Sequence, residues 1–457
     1  MNQRFENIID ELVDQYAYAD TSNRPWIIGF SGGKDSTVLL TFVWLALQKI
    51  KKSSDIPFQL KRPVYVICND TMVENPIIEF YVNNVLAKIE DSARNEGLPI
   101  FVKKTIPKLE NSFWVNVLGK GYPVPNNSFR WCTEKLKIKP TSDFITEQLD
   151  GNGEAIILIG TRYGESATRA RSIQKHEIKG KRLTKHPLHN NTFVYSPIKE
   201  LMLEEVWYVI NTIPSPWGFD NKVLYNIYAN ASADDYECPT VVTDDKHRTC
   251  GQSRFGCWTC TVVKVDKSMS ALINNGEDWL TPLYNYRNDL AKNRNINKNR
   301  SRYRRNGQLA VTEEGQHQGN YTPEYRAKAL RELLEIQRDL QKIEDKLELI
   351  TNQELIAIQV IWYRDGIFDF KVGEIFAKVY GRDIMVERQL DSKKLEDKVM
   401  QDVCKENEGD IKLIENLVSI QSSKTLMLSK YGIQNDIENT IEKFVIAKEK
   451  ENENSRG

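Results

Sequence analysis

The sequence has no run of about 18 apolar residues, so a membrane-spanning helix is not expected. It has no charge surplus either: 63 Lys and Arg balance 63 Asp and Glu. A globally basic surface is therefore excluded, and any nucleic-acid contact must come from a local cluster. Histidine is scarce, and none of His176, His186, His189, His247 and His317 falls into a metal-ligand or triad spacing. Met1–Asp14 is charged and lacks the apolar core of a secretion signal. Seven cysteines in 457 residues are too few for a disulfide scaffold. Together these absences lead us to expect a cytoplasmic, water-soluble chain with room for two or three domains. No internal repeat is present.

What is present is an alternation. Apolar runs at Trp26–Phe30, Val64–Cys68, Ile100–Val102 and Ala155–Gly160 read as buried strands. Helical patterns lie between them, near 37–50, 75–96 and 137–149. This order predicts an α/β fold with a parallel sheet, helices on both faces and ligands at the strands' C-terminal ends. From Pro323 onward, Ala327, Leu330, Leu333, Leu334 and Ile336 follow a helical period and predict a C-terminal helical domain.

The first strand runs directly into Ser31-Gly32-Gly33-Lys34-Asp35-Ser36. A strand, a glycine-rich turn and a helix start bring backbone N–H groups to one point, where a polyphosphate can be held. Lys34 adds a point charge, and Ser31 and Ser36 add hydroxyls. The Walker pattern does not fit, because Ile28 stands where its first Gly belongs and Asp35 where Ser or Thr is required. Asn69-Asp70-Thr71 closes the second strand, close to where an adenosine would lie on such a sheet.

Cys238, Cys250, Cys257 and Cys260 are spaced C-x11-C-x6-C-x2-C. Four thiolates suit either zinc or an iron–sulfur cluster, and the final pair can offer two ligands from one loop. Cys132 lies among Arg130, Lys135, Lys137 and Lys139, whose charge favours a thiolate. Gly160 to Ser166, with Arg162 and then Arg169, closes the fourth strand with arginines suited to phosphate or sulfate. Asn285–Arg305 holds eight Lys or Arg against Asp289 alone; it fits either a nucleic-acid backbone or a solvated linker.

The hexapeptide Ser31–Ser36 resembles the PP-loop of the ATP pyrophosphatases, which cut ATP to AMP and pyrophosphate. Together with Arg130–Pro140, Gly160–Arg169 and Tyr195-Ser196-Pro197-Ile198, it is similar to the phosphoadenosine-phosphosulfate reductase branch of that superfamily. The chain departs from the reductases in lacking their C-terminal cysteine motif, and Thr133 follows Cys132 where the iron–sulfur reductases have a second Cys. The segment Cys238–Val263 resembles the DndC family of DNA phosphorothioation proteins. That resemblance implies a 4Fe–4S cluster, with Cys238, Cys250, Cys257 and Cys260 as its metal ligands. It implies ATP bound by Ser31, Gly32, Gly33, Lys34, Asp35, Ser36 and Asp70 with Mg2+, and Lys34, Asp35, Cys132 and Arg162 in catalysis. Cys132 is left as either a persulfide carrier or a cluster ligand. Implied partners are DNA, a cysteine desulfurase, DndD and DndE, with no membrane. The expected layout is a PP-loop domain over 1–230, a cysteine-rich iron–sulfur segment over 231–284, a basic linker over 285–322 and a helical domain over 323–457. Rival expectations are an adenylylated-sulfate reductase, a tRNA-thiolating enzyme and a non-catalytic DNA-binding subunit.

Overall fold

The computed structural model describes residues 2–19, 24–53, 60, 62–177, 180–187, 189, 191–230 and 256–384. Cys238, Cys250 and Cys404 lie outside the described residues, as does the chain beyond residue 384.

After helix α1 (Gln3–Ala17) come strand β1 (Trp26–Gly29), helix α2 (Lys34–Lys52), β2 (Val64–Asn69), α3 (Pro76–Asn95) and β3 (Ile100–Thr105). Helix α4 (Lys139–Asn152), β4 (Ala155–Leu158), α5 (Ala167–His176), β5 (Leu183–Lys185), β6 (Thr192–Tyr195), α6 (Leu203–Thr212) and α7 (Asn221–Asn230) complete the first half. The fold is α/β. Its six strands are ordered β3-β2-β1-β4-β6-β5, and only the edge strand β5 is antiparallel to its neighbour. The expected strands and helices are all there. The β5–β6 hairpin was not read from the sequence, because its short strands are only partly apolar.

Period-two burial explains the two layers. Trp26, Ile28, Val64, Val66, Ile156 and Leu158 face α1, α2, α3, α6 and α7 in one core. Ile27, Ile67, Ala155, Ile157 and Ile159 face α4 in another. Helix α2 is buried along most of its length. Asp35 in its first turn and Lys49, Lys51 and Lys52 in its last complement the helix dipole.

A separate core gathers residues 113–136 with α8 (Lys267–Asn274), α9 (Thr281–Asn293), α10 (Pro323–Leu340), α11 (Asn352–Arg364) and α12 (Val372–Tyr380). The segment between β3 and α4 thus packs with the C-terminal helices. The Trp362 indole donates to the Leu118 carbonyl at 2.8 Å, and the Trp114 indole to that of Leu349 at 2.7 Å. Residues 285–322, expected as a basic linker, belong to this folded body. Arg287 in α9 is 1% exposed, and Arg300 donates to the carbonyls of Gly319 and Arg294. Among the described residues no helix is long and apolar enough to cross a membrane.

Candidate active site

The chain leaves β1, turns at Ser31–Gly33 and enters α2 at Lys34. Gly32 adopts φ +75°, and a Cβ there would come within 2.8 Å of Val82 in α3. Gly160, after β4, presses so close that a Cβ would lie 3.0 Å from the Asp35 carbonyl oxygen. These two glycines let the loop lie flat against the sheet's C-terminal edge. The Gly32 carbonyl accepts from the Tyr81 hydroxyl at 3.1 Å, which fixes the turn from α3.

The loop is closed by its own hydroxyls. The Ser31 N–H donates to Ser36 Oγ at 3.3 Å, and the Lys34 N–H donates to the Tyr228 hydroxyl at 3.2 Å. The cavity over the loop, bounded by Ser31, Gly33, Asp35, Thr161, Glu165, Arg169 and Tyr228, measures only about 20 Å³. Ser36 and Tyr228 occupy amide positions that a bound phosphate would compete for.

Below the loop runs a chain of charges. Lys34 is 2% exposed and pairs with Asp35 Oδ2 at 3.1 Å, its ammonium 5.5 Å from the centre of the Tyr228 ring. Asp35 Oδ1 accepts from Arg162 Nε at 2.6 Å. Both carboxylate oxygens are thus taken by cations, so Asp35 orients Lys34 and Arg162 and offers no lone carboxylate for Mg2+. Arg162 was expected to neutralise an attacked phosphate. It is instead buried beneath the loop, where it also donates to the Leu201 carbonyl at 3.2 Å. The guanidinium that reaches the cavity wall is that of Arg169, 3.5 Å from Glu165. Burial pushes the Glu165 carboxyl up to about 7, against the partly offsetting Arg169 charge.

Asp70 lies at the end of β2, paired with Lys104 at 2.8 Å and accepting from the Met72 N–H at 2.8 Å. Met72 has φ +63°, a left-handed conformation costly for a residue with a side chain. This strained loop receives the cysteine segment. The Trp258 N–H donates to the Val73 carbonyl at 3.0 Å, and the Asn75 N–H donates to that of Gly256 at 3.3 Å. The Cys257 and Cys260 turn, closed by the Cys260 N–H on the Cys257 carbonyl at 3.0 Å, therefore abuts the strand next to the glycine loop. Cys257 Sγ lies 3.3 Å from Thr71 Oγ1, which also meets Glu74 Oε1 at 2.8 Å. Burial, then the Glu74 charge, pushes the Cys257 thiol well up. Cys132 borders the same apolar core as Cys257, just before the π-helical turn Thr133–Ile138. Of the lysines near Cys132 in sequence, Lys135 donates to Asn111 at 2.9 Å, and the Lys137 charge acts on Glu74 and Cys257.

Two thiols in one C-x2-C turn, walled by Trp258 and the Trp131 core, are a donor set suited to a thiolate-bound metal or cluster. Among the described residues no three His, Cys, Asp or Glu side chains form a complete metal site. Cys238 and Cys250, the two other expected ligands, lie outside those residues.

Sequence reading missed several members of this site. Tyr228 and Tyr81 cap the loop from helices distant in sequence. Thr161 stood in a quoted motif, but spacing gave it no role. Arg287 and Arg294 hold the cysteine turn through backbone carbonyls. Arg287 donates to those of Cys260 (2.8 Å), Val263 and Lys264 (3.1 Å), and Arg294 donates to those of Pro125 and Thr261.

No protein-family model matches the chain. A stretch of 178 residues, 39% of this chain, is 30% identical to an uncharacterized protein of Methanocaldococcus jannaschii, MJ0066. The chain spans 28% of that relative's length. Among solved structures it is similar to the phosphoadenylyl-sulfate reductase of Candida auris, with 14% identity and a TM-score of 0.28 over 48% of this chain and 89% of that one. It is also similar to the U34-tRNA thiolase NcsA of Methanococcus maripaludis, a protein with a [4Fe-4S] cluster, with 13% identity and a TM-score of 0.29 over 50% of this chain and 74% of that one. The FMN adenylyltransferase of Candida glabrata gives 14% identity and a TM-score of 0.28 over 46% of this chain and 59% of that one. At these scores the likenesses carry no functional argument, which rests on the site itself.

Proposed function

We propose that this chain is a PP-loop ATP pyrophosphatase acting as the sulfurtransferase of a DNA phosphorothioation system. One observation carries the reading: a glycine-rich loop built for phosphates and a C-x2-C turn built for thiolate chemistry meet on adjacent strand ends of one sheet. Nucleotide activation and sulfur delivery need that adjacency.

The ATP phosphates would displace Ser36 Oγ and the Tyr228 hydroxyl from the loop amides. Lys34, held by Asp35, then stabilises charge growing on the departing pyrophosphate. A non-bridging oxygen of a DNA phosphodiester attacks the α phosphorus, the bond to the β-phosphate bridge breaks, and pyrophosphate leaves. The activated DNA phosphate carries AMP. Hydrosulfide attacks its phosphorus and releases its proton, the bond to the adenylylated oxygen breaks, and AMP departs with that oxygen. Arg169, at the cavity wall, is the cation placed to balance this phosphate. Mg2+ would arrive on the ATP phosphates.

Cys257 and Cys260, with Cys132, Cys238 and Cys250 as the further candidates, would hold a 4Fe–4S cluster. Such a cluster supplies soft metal and sulfide sites for receiving or handing on sulfur. Sulfur would come from a cysteine desulfurase as a persulfide, released as hydrosulfide by a two-electron thiol reductant, and DndD and DndE would complete the assembly on DNA.

The test is product analysis. Wild-type protein with ATP should yield AMP and pyrophosphate, and Lys34→Ala should lower that rate by about 30-fold or more, about 2 kcal/mol of transition-state stabilisation. ADP and phosphate as the products would refute the reading.

A further inference from the structure

We propose that a second cavity, enclosed by α1, α5 and the β5–β6 hairpin, binds the phosphodiester strand that receives chemistry from the nucleotide on the Ser31–Ser36 loop. This rests on the reading of that loop as the ATP site and adds where the acceptor lies.

The cavity measures about 570 Å³, within the roughly 300–1,000 Å³ typical of small-molecule and nucleotide sites. Six Lys and Arg line it, with three Glu. Some of these cations are already matched. Arg182 pairs with Asp14 and with Glu11, Lys199 with Glu177, Arg4 with Glu205 and Arg169 with Glu165. Lys181 and Lys185 are exposed and have no ion-pair partner among the described residues. They leave the mouth of the cavity with uncompensated charge, which an anionic strand running out of it would neutralise. Ile8, Ile159, Ile173 and Val194 give apolar wall for a sugar or base.

Two residues, Thr161 and Arg169, line both this cavity and the small one over the loop. Thr161 is 2% exposed, and its buried Oγ1 has no hydrogen-bond partner among the described residues. A buried hydroxyl left unpaired is costly, and a phosphate oxygen of a ligand would satisfy it. Arg169 can donate to a phosphate on either side. Two anionic substrates, one in each cavity, would therefore meet at a shared hydroxyl and guanidinium, the arrangement that transfer between them requires.

The test uses the full chain and two probes: 5′-phosphorylated dithymidylate and ATP. Lys181→Glu/Lys185→Glu should fold normally, because both side chains are exposed, and should weaken dinucleotide binding by about tenfold. Thr161→Val should weaken it by several-fold. ATP affinity should shift much less in the double variant. Unchanged dinucleotide binding after double charge reversal would overturn the proposal. Equal weakening of ATP would also overturn it, by making this the ATP pocket. Both affinities are read without turnover, so failure to form AMP bears on the loop alone, whereas failure of the charge reversal bears on the cavity.

Discussion

Glu165 and Arg169 form a buried ion pair at the wall of the loop cavity, and burial gives the acid an unusual proton affinity. The carboxyl is pushed from its ordinary 4.5 up to about 7. Between those values the folded protein holds a proton that the unfolded chain has released. The contribution to stability is therefore full below about pH 4.5 and is lost as the pH rises through about 7. Glu165→Gln should flatten the fall in urea midpoint between pH 5 and pH 8 relative to wild type; an unchanged slope would mean that Glu165 is ionised throughout. At this scale the sequence was legible where chemistry is local. Ser31–Ser36 can be read from a hexapeptide because the turn and its donors are contiguous. Tyr228 could not be read, because its role depends on α7 packing almost 200 residues away (Lys34 to Tyr228, |i−j| = 194). Arg162 was legible as a site residue but not as a buried one, since spacing does not say which of two arginines faces a cavity.

Helix α9 shows the same limit for a whole element. The basic stretch Asn285–Arg305, which begins inside it, reads as a linker or a nucleic-acid track, yet Arg287 points inward and ties down the carbonyls of residues 260, 263 and 264. Charge is counted in sequence, whereas burial is set by the core that α9 shares with α10 and the 113–118 segment. Removing this side chain strands three partly buried acceptors at once. Arg287→Ala should cost about 3 kcal/mol or more in urea unfolding. It should also lower the metal content of anaerobically purified protein, because the Cys257–Cys260 turn loses its anchor. Full stability with full metal content would show that the turn holds itself. The strands and the long helices of the first half were legible because their apolar periods are clean. The short hairpin β5–β6 was not, although it walls the larger cavity.

In the whole molecule, the cysteine turn belongs to the core of the C-terminal helices and hydrogen-bonds the loop that follows β2. The expected division at residues 230, 284 and 322 follows composition, but packing joins residues 113–136 to the C-terminal helices. A DNA-binding surface on the basic stretch is correspondingly smaller than its charge count. Arg300 is buried and Arg305 pairs with Asp365 at 2.7 Å, which leaves Lys292, Lys298, Arg302 and Arg304 exposed. Arg302→Ala/Arg304→Ala should flatten the slope of log affinity against log salt on duplex DNA by about 2 units. An unaltered slope would place DNA contact elsewhere. The central claim, that loop and cysteine turn together put sulfur on DNA, is tested most directly by mass spectrometry of nuclease-digested DNA from cells carrying the wild-type or the Lys34→Ala chain. Phosphorothioate-linked dinucleotides should be present with the wild type and absent with the variant. Their absence with the wild type, or their persistence with Lys34→Ala, would contradict the account.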